Sequence, residues 1–574
     1  MWIGRRELLG ITAAGAGALV FGTGSSLRET AAAPSPALGP NVLPKLPIGM
    51  NLTAINDWSP GFPFRNLMWG ARAWETRNAD GSGPWNTGTR DYFRYDEDGY
   101  PLESPIQAPG TPDPQAPFTL LPNVCKPGKY VLLHDGEGAF SSLMGTRILS
   151  SKPGRVLLQM THRRGLVEGI VIKRSTLGNH VRNIRIVALE DESSDISRNP
   201  FLTEFLDFCR PFHALRFMDW AVTNGSMEEK WSGRKRASFY TMVGVSGNPD
   251  TLGPKQPKPF DRMFSGGVAI EVMIQLANTL EIDPWFCIPH RASDEYITEY
   301  AKLVRSKLDP RRRVYVEYSN EIWNWGFLQA QWMLKSRRAG DLVEAAGSKA
   351  WDDAAKTKGT NHPERIGALF RRTFGLWERE WQGRDRKRLV RVCSVQAGWL
   401  DVALRTARWC INHGGADAIA PSAYFGPGKD EYRKWAAAGS ALTADEVIAD
   451  MKLALDREGT GGNYRKMADF AIENGISYMT YEGGQHIQPK DQAVVPYNPA
   501  LGAAQKHPGM YDLYLQNFRL QQSLGNTLFC QFASISEQGT RWGSWGAKES
   551  YSQPLSEAPK MRALLDCNTP KTTA

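Results

Sequence analysis

Two carboxylates four positions apart, Glu317 and Glu321, lie in VYVEYSNEIWNWGF (314 to 327), a β-branched and aromatic run that reads as a strand passing into a tryptophan-bearing loop. Another, Glu482, stands in SYMTYEGG ahead of two glycines that let the backbone turn tightly. In a strand alternate residues face alternate sides, so Glu317, Ser319 and Glu321 are expected on one face and Val314, Val316, Tyr318 and Asn320 on the other. A carboxylate inside a sheet is costly unless paired, and Arg216 from a neighbouring strand is the expected partner of Glu317. Glu321 and Glu482 each fall where a strand gives way to a loop, about three strand-helix units apart. Two glutamates facing each other suit glycosidic cleavage, in which one must be protonated to help the leaving oxygen depart and the other must stay ionised to attack or to activate water.

These residues need a frame. From about residue 211 short apolar runs alternate with longer stretches of helical periodicity. The strand candidates are 213 to 220, 281 to 290, 314 to 321, 388 to 399, 416 to 426, 476 to 484 and 526 to 536, with another upstream in LPIGMNLTAI (46 to 55). Helical patterns occupy 267 to 280, 294 to 308 and 399 to 414. Alternation of this kind predicts an α/β protein, a (β/α)8 TIM barrel, over 46–60 and 200–565. The missing Gly-x-Gly-x-x-Gly fingerprint weighs against a doubly wound open sheet. The roughly 150 residues between the first two strands are too many for one helix, and about 90–190 reads as an inserted β-sandwich-like module with alternating apolar residues between Gly, Asn and Pro turns. That module binds a polysaccharide or simply buttresses the barrel mouth, and the sequence leaves both open.

Residues 1–33 read as an export signal: paired Arg5 and Arg6, a weakly apolar Gly/Ala-rich run, then small residues around Ala31 to Ala33. The arginine pair resembles a twin-arginine signal, with an ordinary secretory signal as the alternative. A periplasmic or extracellular protein without integral membrane association is expected, since no later stretch approaches a membrane span. Seven scattered cysteines without a Cys-x-x-Cys pair give no disulfide framework, and nine dispersed histidines give no metal-site spacing, so no metal or organic cofactor is expected. A net charge of +9 in 574 residues, with only short basic runs, argues against a nucleic-acid partner. HDGEG (134 to 138) reads as a turn and not as a calcium loop.

VEYSNE and TYEGG together resemble the fourth- and seventh-strand motifs of the retaining (β/α)8 glycoside hydrolase superfamily that includes bacterial endoglucanases and β-mannanases. The resemblance implies Glu321 as acid/base, Glu482 as nucleophile and Asn320 as the group that bonds the sugar 2-hydroxyl. Arg216 in HALRFMDW, His290 in CIPH and Tyr424 in SAYFG stand where such enzymes hold the nucleophile ionised or bind sugar hydroxyls, and Trp542 and Trp545 in RWGSWG stand where they place an aromatic platform. Ile322 replaces the usual proline after the acid/base, which marks a divergent branch whose substrate is not inherited. GMNLTAINDWSPGFPF with EYSNEIWNWGF also resembles bacterial proteins labelled cellulose-binding or glycosidase-like.

Other residues are read more plainly. Asp219 bonds a sugar or caps a helix; its strand-end position favours the site. His486 is read as a loop residue. Sugar faces stack on indoles, so one tryptophan after Glu321 is expected as a platform, with Trp323 facing out while Trp325 and Phe327 pack beneath. Nineteen tryptophans favour an aromatic groove, hence a polymer. The expected activity is O-glycoside hydrolysis of a β-linked polysaccharide or oligosaccharide, endo-acting, by double displacement. The alternatives are a non-catalytic carbohydrate-binding protein of cell-surface polysaccharide assembly, or a transglycosidase. Oligomeric state is not readable.

Overall fold

The computed structural model describes residues 42–161, 166–245, 265–346, 362–458 and 462–571. The expected export signal lies outside them. Each of the eight strand candidates supplies a strand. β1 (Ile48–Asn51) is followed by β2 (Glu75–Asn78), β3 (Gln115–Leu120), β4 (Gly128–Asp135), β5 (Gly138–Ser142), β6 (Thr146–Lys152), β7 (Arg155–Met160), β8 (Gly169–Ser175) and β9 (Arg182–Ala188). After them come β10 (Ala214–Arg216), β11 (Asp283–Ile288), β12 (Val314–Tyr318), β13 (Leu389–Val395), β14 (Ala418–Phe425), β15 (Ser477–Tyr478), β16 (Glu482–Gln485) and β17 (Phe529–Gln531).

Eight of these strands form one all-parallel path in the order β15-β14-β13-β12-β11-β10-β1-β17, and β16 continues the line of β15 by pairing with the outer half of β14. The result is a mixed α/β fold with a curled, half-barrel parallel sheet of TIM-like character. At its ends, Thr480 bridges Phe529: the Thr480 N–H donates to the Leu528 carbonyl at 3.0 Å and the Cys530 N–H to the Thr480 carbonyl at 3.1 Å. The strands are buried runs, as in VYVEY, where all five residues are covered, because helices pack outside them. Helices 270–280, 294–307 and 400–412 fall on the three stretches of apolar helical periodicity. The second begins where the Ser293 hydroxyl accepts the Tyr296 N–H, with Asp294 and Glu295 in its first turn and Arg305 and Lys307 in its last, complementing the helix dipole.

Between β1 and β10 the chain builds two antiparallel four-stranded sheets, β2-β3-β8-β5 and β6-β7-β4-β9. Leu132, Leu158, Ile172 and Ile186 from these strands share a continuous apolar core with Phe64, Trp220 and Phe217 beside the parallel sheet. Trp74 stacks on Tyr240 at 4.7 Å between centroids and Phe64 meets Trp220 at 5.6 Å, so the antiparallel region is joined to the rest by packed aromatics. Among the described residues no helix is long and apolar enough to cross a membrane, and all seven cysteines are buried and unbridged.

Candidate active site

The register of the parallel sheet assembles the site. Asn51 pairs with Arg216 and Arg216 with Trp285, while one strand further on Glu317 pairs with Cys287, so the ends of β1, β10, β11 and β12 lie side by side. Arg216 is fully buried and each of its five N–H groups has an acceptor. Nε and Nη2 hold both Glu317 oxygens at 2.9 Å, Nη1 donates to Asn51 Oδ1 at 2.9 Å and Glu482 Oε1 at 3.0 Å, and Nη2 also donates to Asn320 Oδ1 at 2.8 Å. Burial opposes its charge, but Cys287, Glu317 and Glu482 around it outweigh that and hold the guanidinium well above its ordinary pKa. The expected Arg216–Glu317 pair is therefore present, and it is the floor of a larger cluster. Trp285 Nε1 donates to Glu317 Oε2 at 2.8 Å as well, so Glu317 is consumed in bonds that fix the arginine.

Glu482 sits on the other side of Arg216. Its Oε1 takes the arginine and its Oε2 takes the Tyr424 hydroxyl at 2.7 Å, so a cation and a phenol both favour the ionised carboxylate. The glycines after it serve close approach. A Cβ on Gly483 would lie 2.6 Å from the Phe529 ring, and Gly484 has φ 117°, where side chains are strained.

Glu321 is 5% exposed. Its Oε1 accepts the Tyr481 hydroxyl at 3.1 Å and its Oε2 accepts Asn324 Nδ2 at 2.9 Å. Among the described residues no arginine or lysine bonds it. The route by which it reaches this position differs from the alternation expected of a strand: β12 ends at Tyr318, and Ser319 and Glu321 have φ of 59° and 42°. Two left-handed, non-glycine residues in three positions replace the regular pleat and re-aim the glutamate. Asn320 between them is fully buried, with its amide donating to Asn224 Oδ1 at 3.0 Å.

Tyr481 connects the two carboxylates. Its ring lies over the Arg216 guanidinium at 4.9 Å, its hydroxyl bonds Glu321, and its carbonyl accepts Asn51 Nδ2 at 2.9 Å. Burial, reinforced by Glu321 and Glu482, pushes its phenol far above the ordinary range, so it stays a donor. Asn51, Asn224, Asn324 and Tyr481 were not singled out from the sequence. Asn51 was legible as a polar residue closing an apolar strand. Tyr481, next to Glu482, alternates to the other face in a regular strand, and only the break between β15 and β16 lets both side chains serve the site.

The remaining candidates divide. Tyr424 is in contact with Glu482. Trp545 packs edge-on to Tyr424 at 5.7 Å and to His486 at 4.6 Å, and its Nε1 donates to the Trp542 carbonyl, so the RWGSWG loop closes over this side. Trp542 is 47% exposed under the Arg541 guanidinium. Asp219 is half-buried in the turn after β10. His290 is fully buried with its ring against Trp332 at 5.2 Å; burial, then Arg291, lowers its pKa to about 3 and keeps it neutral. The tryptophan assignment is reversed. Trp323 is 8% exposed and belongs to the apolar core, whereas Trp325 is 38% exposed, edge-on to Trp399 at 5.8 Å and His362 at 5.5 Å. Both tryptophans lie in the turns that follow Glu321 and not in a strand, so no regular alternation sets which of them faces out.

Among the described residues no group of three His, Cys, Asp or Glu side chains is placed to hold a metal ion. No protein-family model matches the chain, and no curated protein matches it.

Proposed function

We propose that the protein is a retaining glycoside hydrolase acting on a β-linked glycan, with Glu482 as nucleophile and Glu321 as acid/base. The observation that carries this reading is the asymmetric environment of two buried glutamates at the strand ends: Glu482 rests on Arg216 and Tyr424, and Glu321 on the neutral donors Tyr481 and Asn324. A cation bonded to one carboxylate and neutral donors bonded to the other match the division between nucleophile and acid/base that a double displacement needs.

In this mechanism a Glu482 oxygen bonds to the anomeric carbon while the glycosidic C–O bond breaks and the departing oxygen takes the Glu321 proton. Glu321, now a base, removes a proton from water, whose oxygen displaces Glu482. Asn320, held from both sides by Arg216 and Asn224, is positioned for a sugar hydroxyl, and Trp545 beside Tyr424 for a sugar face. We read the curled sheet as a (β/α)8 barrel, supported by the Thr480–Phe529 bridge, and the antiparallel region as a module inserted between its first two strands.

The test is reducing-sugar release from β-glucans, mannans, xylans and galactans by the mature protein beside Glu321→Gln and Glu482→Gln. Release by the parent that both variants lose, with folding intact, supports the reading. Glycan binding without release by any of the three would instead favour a carbohydrate-binding protein.

A further inference from the structure

Trp325 lies in the loop after β12 and Trp542 in the loop after β17, and both indoles are exposed. Along the strand path β12 and β17 are four places apart through β11, β10 and β1, and four places apart again through β13, β14, β15 and the Thr480–Phe529 bridge. Read as a barrel, the sheet therefore sets these two loops opposite each other at the C-terminal end of its strands. Each is tied to one of the glutamates. Asn324, next to Trp325, donates to Glu321 Oε2 at 2.9 Å, while the Trp542 carbonyl accepts from Trp545, which packs on the Tyr424 that bonds Glu482.

The mount of Trp325 is rigid. The Asn324 N–H donates to the Glu321 carbonyl at 2.8 Å, the Gly326 N–H to Asn324 Oδ1 at 3.2 Å and the Phe327 N–H to the Asn324 carbonyl at 2.8 Å, which closes the turn that carries the indole. Its ring is braced by Trp399, which ends the loop after β13, and by His362. Trp399 is half-buried, and a Cβ on Gly398 before it would meet nothing within 4 Å. Pyranose C–H faces stack on such fixed, part-exposed rings at small cost in side-chain freedom. Exposure alone does not mark a sugar site, since Trp85 is exposed in the antiparallel region, against Phe118; the bond from Asn324 to Glu321 is what connects Trp325 with the reaction.

The direction of the chemistry decides what lies there. The bond that breaks joins the anomeric carbon, which passes to Glu482, to the oxygen that takes the Glu321 proton. The half that keeps the anomeric carbon therefore lies on the Glu482 side, and the departing half extends past Glu321 toward Trp325. We propose that Trp325, with Trp399, binds the leaving-group sugar, so that the substrate is a glycan chain cut within its length, its reducing-end portion crossing Trp325 and its non-reducing portion lying toward Trp542. The assignment rests on the glycosidase reading and on the roles it gives to Glu321 and Glu482.

Full-length protein carrying Glu482→Gln and labelled with fluorotryptophan is titrated with β-linked tetrasaccharides of glucose, mannose, xylose and galactose. The Trp325 fluorine signal is identified by its loss in Trp325→Phe. The expected result is a saturable shift of that signal with at least one tetrasaccharide, with affinity lowered about 3-fold to 10-fold by Trp399→Ala. In kinetics, the glycosyl fluoride of the same sugar has no leaving-group sugar and serves as the reference substrate. The ratio of kcat/KM for the tetrasaccharide to kcat/KM for the fluoride should fall about tenfold or more in Trp325→Ala. Equal losses on both substrates, or a Trp325 signal that no tetrasaccharide moves while the parent releases sugar, overturn the leaving-group site and leave the glycosidase reading standing. A Trp325 signal that moves while the parent releases no sugar from any glycan overturns the glycosidase reading, and the leaving-group role with it.

Discussion

Replacing Arg216 by methionine should be among the most damaging single changes in the protein, and its size follows from the hydrogen bonds. The guanidinium donates five bonds inside a region with no solvent exposure at Arg216, Glu317 or Glu482. Removing one member of a buried ion pair costs about 3–5 kcal/mol because the surviving charge is left unpaired. Glu317 keeps only Trp285 and Cys287, and Glu482 keeps Tyr424. Against a total stability of about 5–15 kcal/mol, such a loss is severe. The assay is urea unfolding followed by tryptophan fluorescence for the parent, Arg216→Met, Glu317→Gln and the double variant. If the cost comes from the orphaned carboxylate, the double variant loses less than the two singles together, by about 1–3 kcal/mol. Additive losses, or an Arg216→Met cost under about 1 kcal/mol, would refute the reasoning.

Further expectations concern the walls of the site. Tyr424→Phe removes the hydroxyl that donates to Glu482 Oε2 and is expected to lower turnover by about 10-fold to 100-fold with little change in stability, as read from initial rates on the active glycan. Trp323→Ala empties a core position and should cost about 3–5 kcal/mol, while Trp325→Ala should leave the unfolding midpoint nearly unchanged and weaken glycan binding, as measured by calorimetry. Lys560 is buried with its amine on Gln505 and the Ser544 carbonyl, and burial lowers its pKa to about 7. The unfolded chain keeps that proton up to the ordinary lysine value while the folded chain has released it, so this group makes stability rise between about pH 7 and 10, with a slope of up to about 1.4 kcal/mol per pH unit. Lys560→Met should flatten that rise in urea midpoints measured across the window.

The frame was the most legible part of the chain, and the reason is physical. Most strands of the parallel sheet are buried on both faces and show as dense apolar runs, and the eight on its main path fall inside their expected stretches. The Arg216–Glu317 pair was legible for the same reason, since a charge in such a strand must be met. What failed to show was the backbone at Ser319 and Glu321. Left-handed turns at non-glycine residues leave no mark in composition, and Trp323 and Trp325 lie in the turns after them, where no periodicity announces which ring is covered. Asn51 showed only as a polar residue closing an apolar strand, and the neutral partners Asn224, Asn324 and Tyr481 were silent because an asparagine or tyrosine near a strand end has many structural uses.

The central claim is that Glu482 becomes covalently bonded to sugar. A 2-deoxy-2-fluoro glycoside with a good leaving group, made from whichever sugar the polymer panel identifies, slows both steps and lets the intermediate accumulate. Peptide mapping by mass spectrometry should then find one glycosyl unit on the peptide that carries Glu482, in the parent and not in Glu482→Gln. An adduct on another residue, or turnover of the parent glycan with no adduct and an inverted anomeric product, would contradict the account.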